Sequence, residues 1–226
     1  MTKEEFAKTL DMTLLKPDAT RDAIVRLCEE ARELKPASVC IYPIWIKTAA
    51  KVLAGSGVPV CTVIGFPTGC SVNSAKALEI ANAVEAGAEE VDIVMNLGAA
   101  KTGDWEIVRK ELAKLIEAAR VEGLRHNKPR IITKVIIECS ALTDDEKVQA
   151  SSIVRDVAAD FVKTSTGFGS GGATVDDVSL LRKTVGPDMG VKAAGGIRTI
   201  EQAKAMLEAG ATRLGTSAAK ELIAAF

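Results

Sequence analysis

The sequence predicts a (β/α)8 barrel, an α/β TIM barrel forming a single domain over residues 1–226, and three observations lead there. Short runs rich in β-branched residues alternate with longer stretches of helical periodicity, the pattern of parallel βα units. Eight such runs occur, one per about 28 residues, near the lower end of the size range for an eightfold barrel; an open doubly wound sheet usually has fewer strands. A short internal repeat carries the same unit: Glu85-Ala-Gly-Ala leads into Val91-Asp-Ile-Val, and Glu208-Ala-Gly-Ala leads into Arg213-Leu-Gly-Thr. Gly87 and Gly210 stand where a helix ends on a left-handed residue before the next strand.

In chain order, a short helix precedes a first strand near residues 10–14. Strands then follow near 38–42, 58–66, 90–96, 130–138, 160–166, 190–194 and 213–216. Between the fourth and fifth, Trp105, Val108, Leu112, Leu115 and Ala119 are spaced three and four apart, so they share one helical face that packs on a sheet. Another helical stretch begins near Ile200.

Hydrophobic residues make up 47% and charged residues 26% of the chain, which excludes disordered and fibrous classes. Lys and Arg number 29 against 30 Asp and Glu, so no global field draws in nucleic acid or an anionic membrane, and only a local anion site is left open. No apolar run is long enough to span a bilayer, and Met-Thr-Lys-Glu-Glu is followed by no signal-peptide core. The five cysteines, Cys28, Cys40, Cys61, Cys70 and Cys139, are odd in number and lack zinc-site spacing. They read as reduced thiols of a cytoplasmic protein that needs no metal.

A barrel of this type carries its chemistry at the C-terminal ends of its strands. Two lysines are expected there: Lys163 in Phe161-Val-Lys-Thr-Ser-Thr-Gly and Lys192 in Gly190-Val-Lys-Ala-Ala-Gly-Gly. On neighbouring strands, about 4.8 Å apart, two ammonium groups repel, and one then sheds its proton near neutral pH. A neutral lysine attacks a carbonyl, so the pair suggests Schiff-base chemistry; ion pairing of both lysines with carboxylates is the alternative. Asp92, in the otherwise apolar Glu90-Val-Asp-Ile-Val, faces inward if Val91 and Ile93 face the helices. It is a candidate proton carrier or a structural ion-pair member.

Lys134 and Glu138 share a face of the fifth strand and Asp11 and Thr13 a face of the first, so a polar network is expected inside the barrel. Lys134 lies deeper and reads as a supporting charge, with the rank of rival nucleophile. The Gly-rich segments after the seventh and eighth strands, Gly195-Gly-Ile-Arg-Thr and Gly215-Thr-Ser217, suit a phosphate, aided by a helix N-terminus. Gly167-Phe-Gly-Ser-Gly-Gly-Ala suits either a loop that closes on substrate or a plain connection. Cys40, near the mouth, is either a thiol in reach of an aldehyde or a small core residue. His126, in the polar turn Leu124-Arg-His-Asn-Lys-Pro, falls at the wrong end of a strand for catalysis.

Together these segments resemble the deoxyribose-phosphate aldolases, class I enzymes that interconvert 2-deoxy-D-ribose 5-phosphate with D-glyceraldehyde 3-phosphate and acetaldehyde. The resemblance runs from Leu10-Asp-Met-Thr-Leu-Leu-Lys-Pro through Ser38-Val-Cys-Ile-Tyr-Pro, Val63-Ile-Gly-Phe-Pro and Val91-Asp-Ile-Val-Met-Asn. It continues through Lys134-Val-Ile-Ile-Glu and Lys163-Thr-Ser-Thr-Gly-Phe to Lys192-Ala-Ala-Gly-Gly-Ile-Arg, essentially the whole chain. It implies Lys163 as Schiff-base nucleophile, Lys192 as the neighbouring charge that favours its neutral form, and Asp92 as proton-transfer partner through water. It also implies a phosphate held around Gly167, Gly195, Gly196, Ile197, Gly215 and Ser217, with Asp11 and Thr13 flanking the network beneath.

No cofactor is implied. The expected partners are a sugar phosphate and acetaldehyde, without nucleic acid or membrane, and a homo-oligomer is left open. Many members carry His at Met12 and Glu near Ser74, and the Thr68-Gly-Cys-Ser-Val-Asn loop is unusual among them. These departures bear on loop contacts and substrate preference. Another phosphate-binding barrel lyase or isomerase, or a non-catalytic sugar-phosphate binder, is the competing reading.

Overall fold

The computed structural model describes residues 1–128 and 130–226. Its eight parallel strands pair in sequence order and close into a barrel, with β8 bonded back to β1. A short helix α1 (Lys3–Ala7) precedes β1 (Leu10–Leu14) and α2 (Arg21–Leu34). There follow β2 (Ser38–Ile41), a 3-10 turn at Pro43–Trp45, α3 (Ile46–Leu53), β3 (Val60–Ile64), α4 (Asn73–Ala86) and β4 (Glu90–Val94). Helices α5 (Leu97–Thr102) and α6 (Trp105–Arg125) lead to β5 (Ile132–Ile136), a 3-10 turn at Cys139–Ala141 and α7 (Asp144–Asp156). The last units are β6 (Phe161–Lys163), α8 (Val175–Val185), β7 (Gly190–Ala194), α9 (Ile200–Glu208), β8 (Arg213–Thr216) and α10 (Ala219–Ala225).

Local chemistry explains where the elements begin and end. Thr143 and Thr199 each cap a helix through a reciprocal box with Glu146 and Gln202, satisfying N–H groups that the first turn leaves unbonded. Gly87 and Gly210 take φ of 122° and 110°, where a side chain would be strained, and each lets the chain turn from helix to strand. The apolar face predicted on α6 is realised: Val108, Leu112, Leu115 and Ala119 are buried in the main core between helices and sheet.

Strand periodicity sorts side chains onto two faces. Val91, Ile93, Val135, Val162, Val191 and Leu214 point outward into that core, while Asp92, Lys134, Lys163 and Lys192 alternate with them on the barrel's inner side. At the barrel floor Phe161 fills the space that Gly190 leaves: a Cβ on Gly190 would come within 2.2 Å of the ring.

Strands β1, β7 and β8 have the expected bounds, whereas the second to the sixth stop short of them. The chain leaves the sheet at Gly65, where φ is 61°, and at Glu138, where φ is 53°. Residues 164–166 continue past β6 as an irregular segment. Glu138 therefore does not share a strand face with Lys134. His126 is exposed at the C-terminus of α6, and of its predicted turn Pro129 lies outside the described residues. Among the described residues no helix is long and apolar enough to cross a membrane.

Candidate active site

The barrel interior holds a closed ring of alternating charge. Lys192 Nζ, on β7, lies 2.5 Å from Asp11 Oδ2 and 2.7 Å from Asp92 Oδ2. Asp92 Oδ1 accepts from Lys134 Nζ at 2.9 Å, and that nitrogen lies 2.5 Å from Glu90 Oε2. Arg213 Nη2 donates to both Glu90 oxygens at 2.6 Å, and its Nε closes the ring on Asp11 Oδ1 at 2.6 Å. Ser38 Oγ adds a hydrogen bond to Asp11 Oδ1 at 2.7 Å. Within the ring, each of the three carboxylates touches two of the ring's cations and each of the three cations touches two carboxylates.

Lys163 stands outside this ring, on its upper side. Its Nζ donates to Asp92 Oδ2 at 2.7 Å, the oxygen that Lys192 also contacts. The predicted mutual repulsion of the two lysines is thus bridged by a shared carboxylate. Four cations face three carboxylates, and Lys163 is the cation with a single carboxylate partner.

Burial shapes the charge states of the ring. Desolvation works to raise the Asp92 carboxyl, but Lys134, Lys163 and Lys192 outweigh it and hold the group well below the ordinary carboxylate range. Asp11 is likewise lowered against burial, by Lys192, Arg213 and Lys134. Lys134 and Lys192 are raised against burial, Lys134 chiefly by Asp92 and Lys192 by Asp11 and Asp92, so both keep their protons. Arg213 is raised by Asp11 and Glu90.

Above the ring opens a cavity of about 280 Å³ at the C-terminal ends of the strands. Lys163 lines it, and so do Gly167, Gly195, Gly196, Ile197, Gly215 and Ser217, the residues expected to hold phosphate. Gly195 and Gly196 take φ of 90° and 83°. Among the described residues, no group accepts from the N–H groups of Gly167, Gly196, Ile197 or Ser217. Donors left in this way suit an anion. The helix contribution is smaller than expected, because the N–H groups of Arg198 and Thr199 at the start of α9 already donate to Gln202 Oε1.

Two of the expected network members sit elsewhere. Thr13 lies at the cavity wall, donating to Asp11 O at 2.9 Å, above the charged ring and not beneath it. Glu138 lies beyond the end of β5, and its Oε2 accepts from Thr166 N–H at 3.0 Å, so it anchors the entry of the Gly-rich segment and is apart from the ring. The exit of that segment is fixed by Ala173 N–H, which donates to Ala194 O and Gly195 O.

Cys40 is fully buried and packs with Leu15, Cys61 and Val63 against Tyr42 and Phe66. Phe66 meets Tyr42 and Phe168 edge-on, at 6.0 and 5.3 Å between centroids, which gives the mouth an aromatic wall. Cys40, Cys61 and Asp92 place donor atoms within 4.8 Å of one another. The Asp92 carboxylate is already surrounded by three ammonium groups, so an added divalent cation would be repelled there.

Sequence reasoning missed Glu90, Arg213, Cys61, Phe66 and the cations Lys16 and Arg198, which line the cavity beside the Gly-rich loops. Glu90 was open to detection, since it stands two residues before Asp92 and so shares its face.

Fold and site define a parallel (β/α)8 barrel with a lysine at its mouth, set against a buried carboxylate and beside a pocket lined by Gly-rich loops. Residues 7–221 match the DeoC/LacD family aldolase model, and the chain belongs to that family. It is 49% identical to a deoxyribose-phosphate aldolase of a Geobacillus species over 98% of this chain and 96% of that one. Identity to the deoxyribose-phosphate aldolase of Brevibacillus brevis is 52%, over 96% and 94% of the two chains. The tetrameric deoxyribose phosphate aldolase structure from Aeropyrum pernix superimposes with a TM-score of 0.91 at 32% identity, covering 100% of this chain and 92% of that one.

Proposed function

We propose that the protein cleaves 2-deoxy-D-ribose 5-phosphate reversibly to D-glyceraldehyde 3-phosphate and acetaldehyde through a Schiff base on Lys163. The observation that carries this reading is the position of Lys163, the one lysine that both lines the anion-suited cavity and contacts Asp92. Lys134 and Lys192 are enclosed in the ring and do not line that cavity.

In the cleavage direction, neutral Lys163 adds to the C1 carbonyl of the open-chain sugar, and loss of water gives an iminium. The C3 hydroxyl then loses its proton, the C2–C3 bond breaks, and its electron pair moves into the iminium to form an enamine. D-Glyceraldehyde 3-phosphate leaves at this point. Protonation of the enamine at C2 and hydrolysis release acetaldehyde and restore the lysine. Asp92, held ionised, is the proton acceptor nearest the reacting nitrogen, and Lys192, held protonated, is a donor on the same oxygen.

The phosphate is bound by the backbone donors around Gly167, Gly196, Ile197 and Ser217, with Lys16 and Arg198 beside them. That remote binding energy orients the reacting carbons, so unphosphorylated aldehydes react more slowly. The test is borohydride reduction in the presence of deoxyribose 5-phosphate, followed by peptide mapping. A substrate-dependent adduct on Lys163 supports the reading. An adduct confined to Lys134 moves the nucleophile to that lysine, and none on a folded protein leaves the competing lyase, isomerase or binding roles.

A further inference from the structure

The floor of the barrel is far more charged than packing requires. Glu90 and Arg213 occupy the first positions of β4 and β8, at the end remote from the cavity, and neither lines it. Yet they complete the ring that ends on Asp92, among the described residues the only carboxylate contact of Lys163. Arg213 also lies over the Phe161 ring, 5.6 Å from its centroid, which holds the guanidinium in place from below.

Without Lys163 the ring is neutral, with Asp11, Glu90 and Asp92 against Lys134, Lys192 and Arg213. Five of the six groups are buried and Arg213 is only 14% exposed, so the ring is poorly screened and one added or missing charge is felt throughout. A protonated Lys163 is the surplus charge. We propose that Glu90 and Arg213 are positioning residues for the aldolase reaction, which set through the ring how readily Lys163 becomes the neutral nucleophile. The inference rests on the Schiff-base reading above and adds to it two residues that touch no substrate.

The sign of the effect follows from the charge count. Neutralising Glu90 leaves the ring one positive charge in excess, which favours uncharged Lys163. Neutralising Arg213 leaves one negative charge in excess, which favours the ammonium. The titratable and charged groups facing this space come from every strand: Asp11, Cys40, Cys61, Glu90 and Asp92, Lys134, Lys163, Lys192 and Arg213 in turn. Burial pushes the Cys61 thiol well up, whereas a hydrogen bond with Cys61 draws the Cys40 thiol down. Cys40 is therefore replaced throughout the test, so that its thiol contributes no limb of its own.

The experiment measures kcat/KM for deoxyribose 5-phosphate against pH in four proteins carrying Cys40→Ala: the parent, Glu90→Gln, Arg213→Gln and the double variant. The rising limb should move to lower pH in Glu90→Gln and to higher pH in Arg213→Gln, each by on the order of one pH unit, and return toward the parent in the double variant. Limbs that stay in place while rates fall, or that move in the same direction, overturn the proposal and leave both residues purely structural. Should Arg213→Gln fail to fold, Glu90→Gln decides alone: a limb at lower pH supports the proposal, and an unmoved or higher one overturns it. Borohydride trapping of the wild-type protein keeps the two levels apart. No adduct on Lys163 overturns the Schiff-base reading itself, whereas an adduct with unmoved limbs overturns only the role of Glu90 and Arg213.

Discussion

Lys163 and Lys192 donate to the same oxygen, Asp92 Oδ2, each at 2.7 Å, yet only Lys192 has a second carboxylate, Asp11. This asymmetry separates two side chains that the sequence presents as equals. Lys192 is locked into a neutral set of ion pairs, and Lys163 is the charge that the set does not need.

The two lysines should therefore differ in stability as well as chemistry. Lys163→Met is expected to abolish turnover with unfolding stability unchanged or raised, since it removes a surplus buried cation. Lys192→Met is expected to lose activity and also about 3–5 kcal/mol of stability, because Asp11 and Asp92 are left buried and short of a partner. Urea unfolding of the two variants beside an activity assay checks this, and equal destabilisation would contradict it.

The acid and alkaline limits of stability also follow from the ring. Asp11 and Asp92 have lowered values in the folded protein, so their contribution is complete above the unfolded carboxylate value of about 3.9 and is lost as pH falls below it. Lys134 and Lys192 have raised values, so theirs is complete below the unfolded lysine value of about 10.4 and is lost as pH climbs past it. Thermal melts should show a plateau in Tm between roughly pH 5 and pH 10 with a decline on both sides. A maximum confined to neutral pH would mean that other groups govern stability.

How much of this is legible in the sequence depends on what each residue type can signal. The barrel is legible because outward-facing residues such as Val91, Val162 and Val191 make recurring β-branched runs, and β1, β7 and β8 begin and end where those runs do. The overshoot at Phe66, Glu138 and Thr166 has a physical cause: the composition stays strand-like after the backbone has turned away, and the turn at Glu138 has no glycine to announce it. Lys163, Lys192 and Asp92 stand out because a charge inside an apolar run needs a reason. Arg213 does not, because at the first position of a strand a charge looks like ordinary solvent exposure, and Glu90 is marked only by sharing the face of Asp92. Only closure of the barrel, which brings residues 90 and 213 together, reveals their pairing.

The Gly-rich segment after Lys163 should control phosphate recognition through its backbone. A Cβ on Gly172 would lie 2.3 Å from Gly195 O, a backbone atom of the anion cradle that cannot swing aside. Gly172→Ala is expected to raise KM for deoxyribose 5-phosphate about tenfold or more and to change KM for unphosphorylated deoxyribose little, because misplacing the cradle removes binding energy that only the phosphate uses. Parallel increases for both substrates would locate the damage at Lys163 instead.

Glu138 offers the complementary test at the other end of that segment. It is buried, holds a left-handed backbone, and accepts the Thr166 N–H at 3.0 Å, while Gly169 is packed so closely that a Cβ there would lie 2.8 Å from its Oε1. Glu138→Ala strands the Thr166 N–H without an acceptor, at about 1–3 kcal/mol. It also frees residues 167–172, which carry Phe168 to its contact with Phe66. Turnover of the phosphorylated sugar should fall, while acetaldehyde with borohydride still labels Lys163. Glu138→Gln retains an acceptor oxygen and should stay near wild type, so a loss in Gln equal to that in Ala would assign Glu138 a role in charge and remove it from loop anchoring.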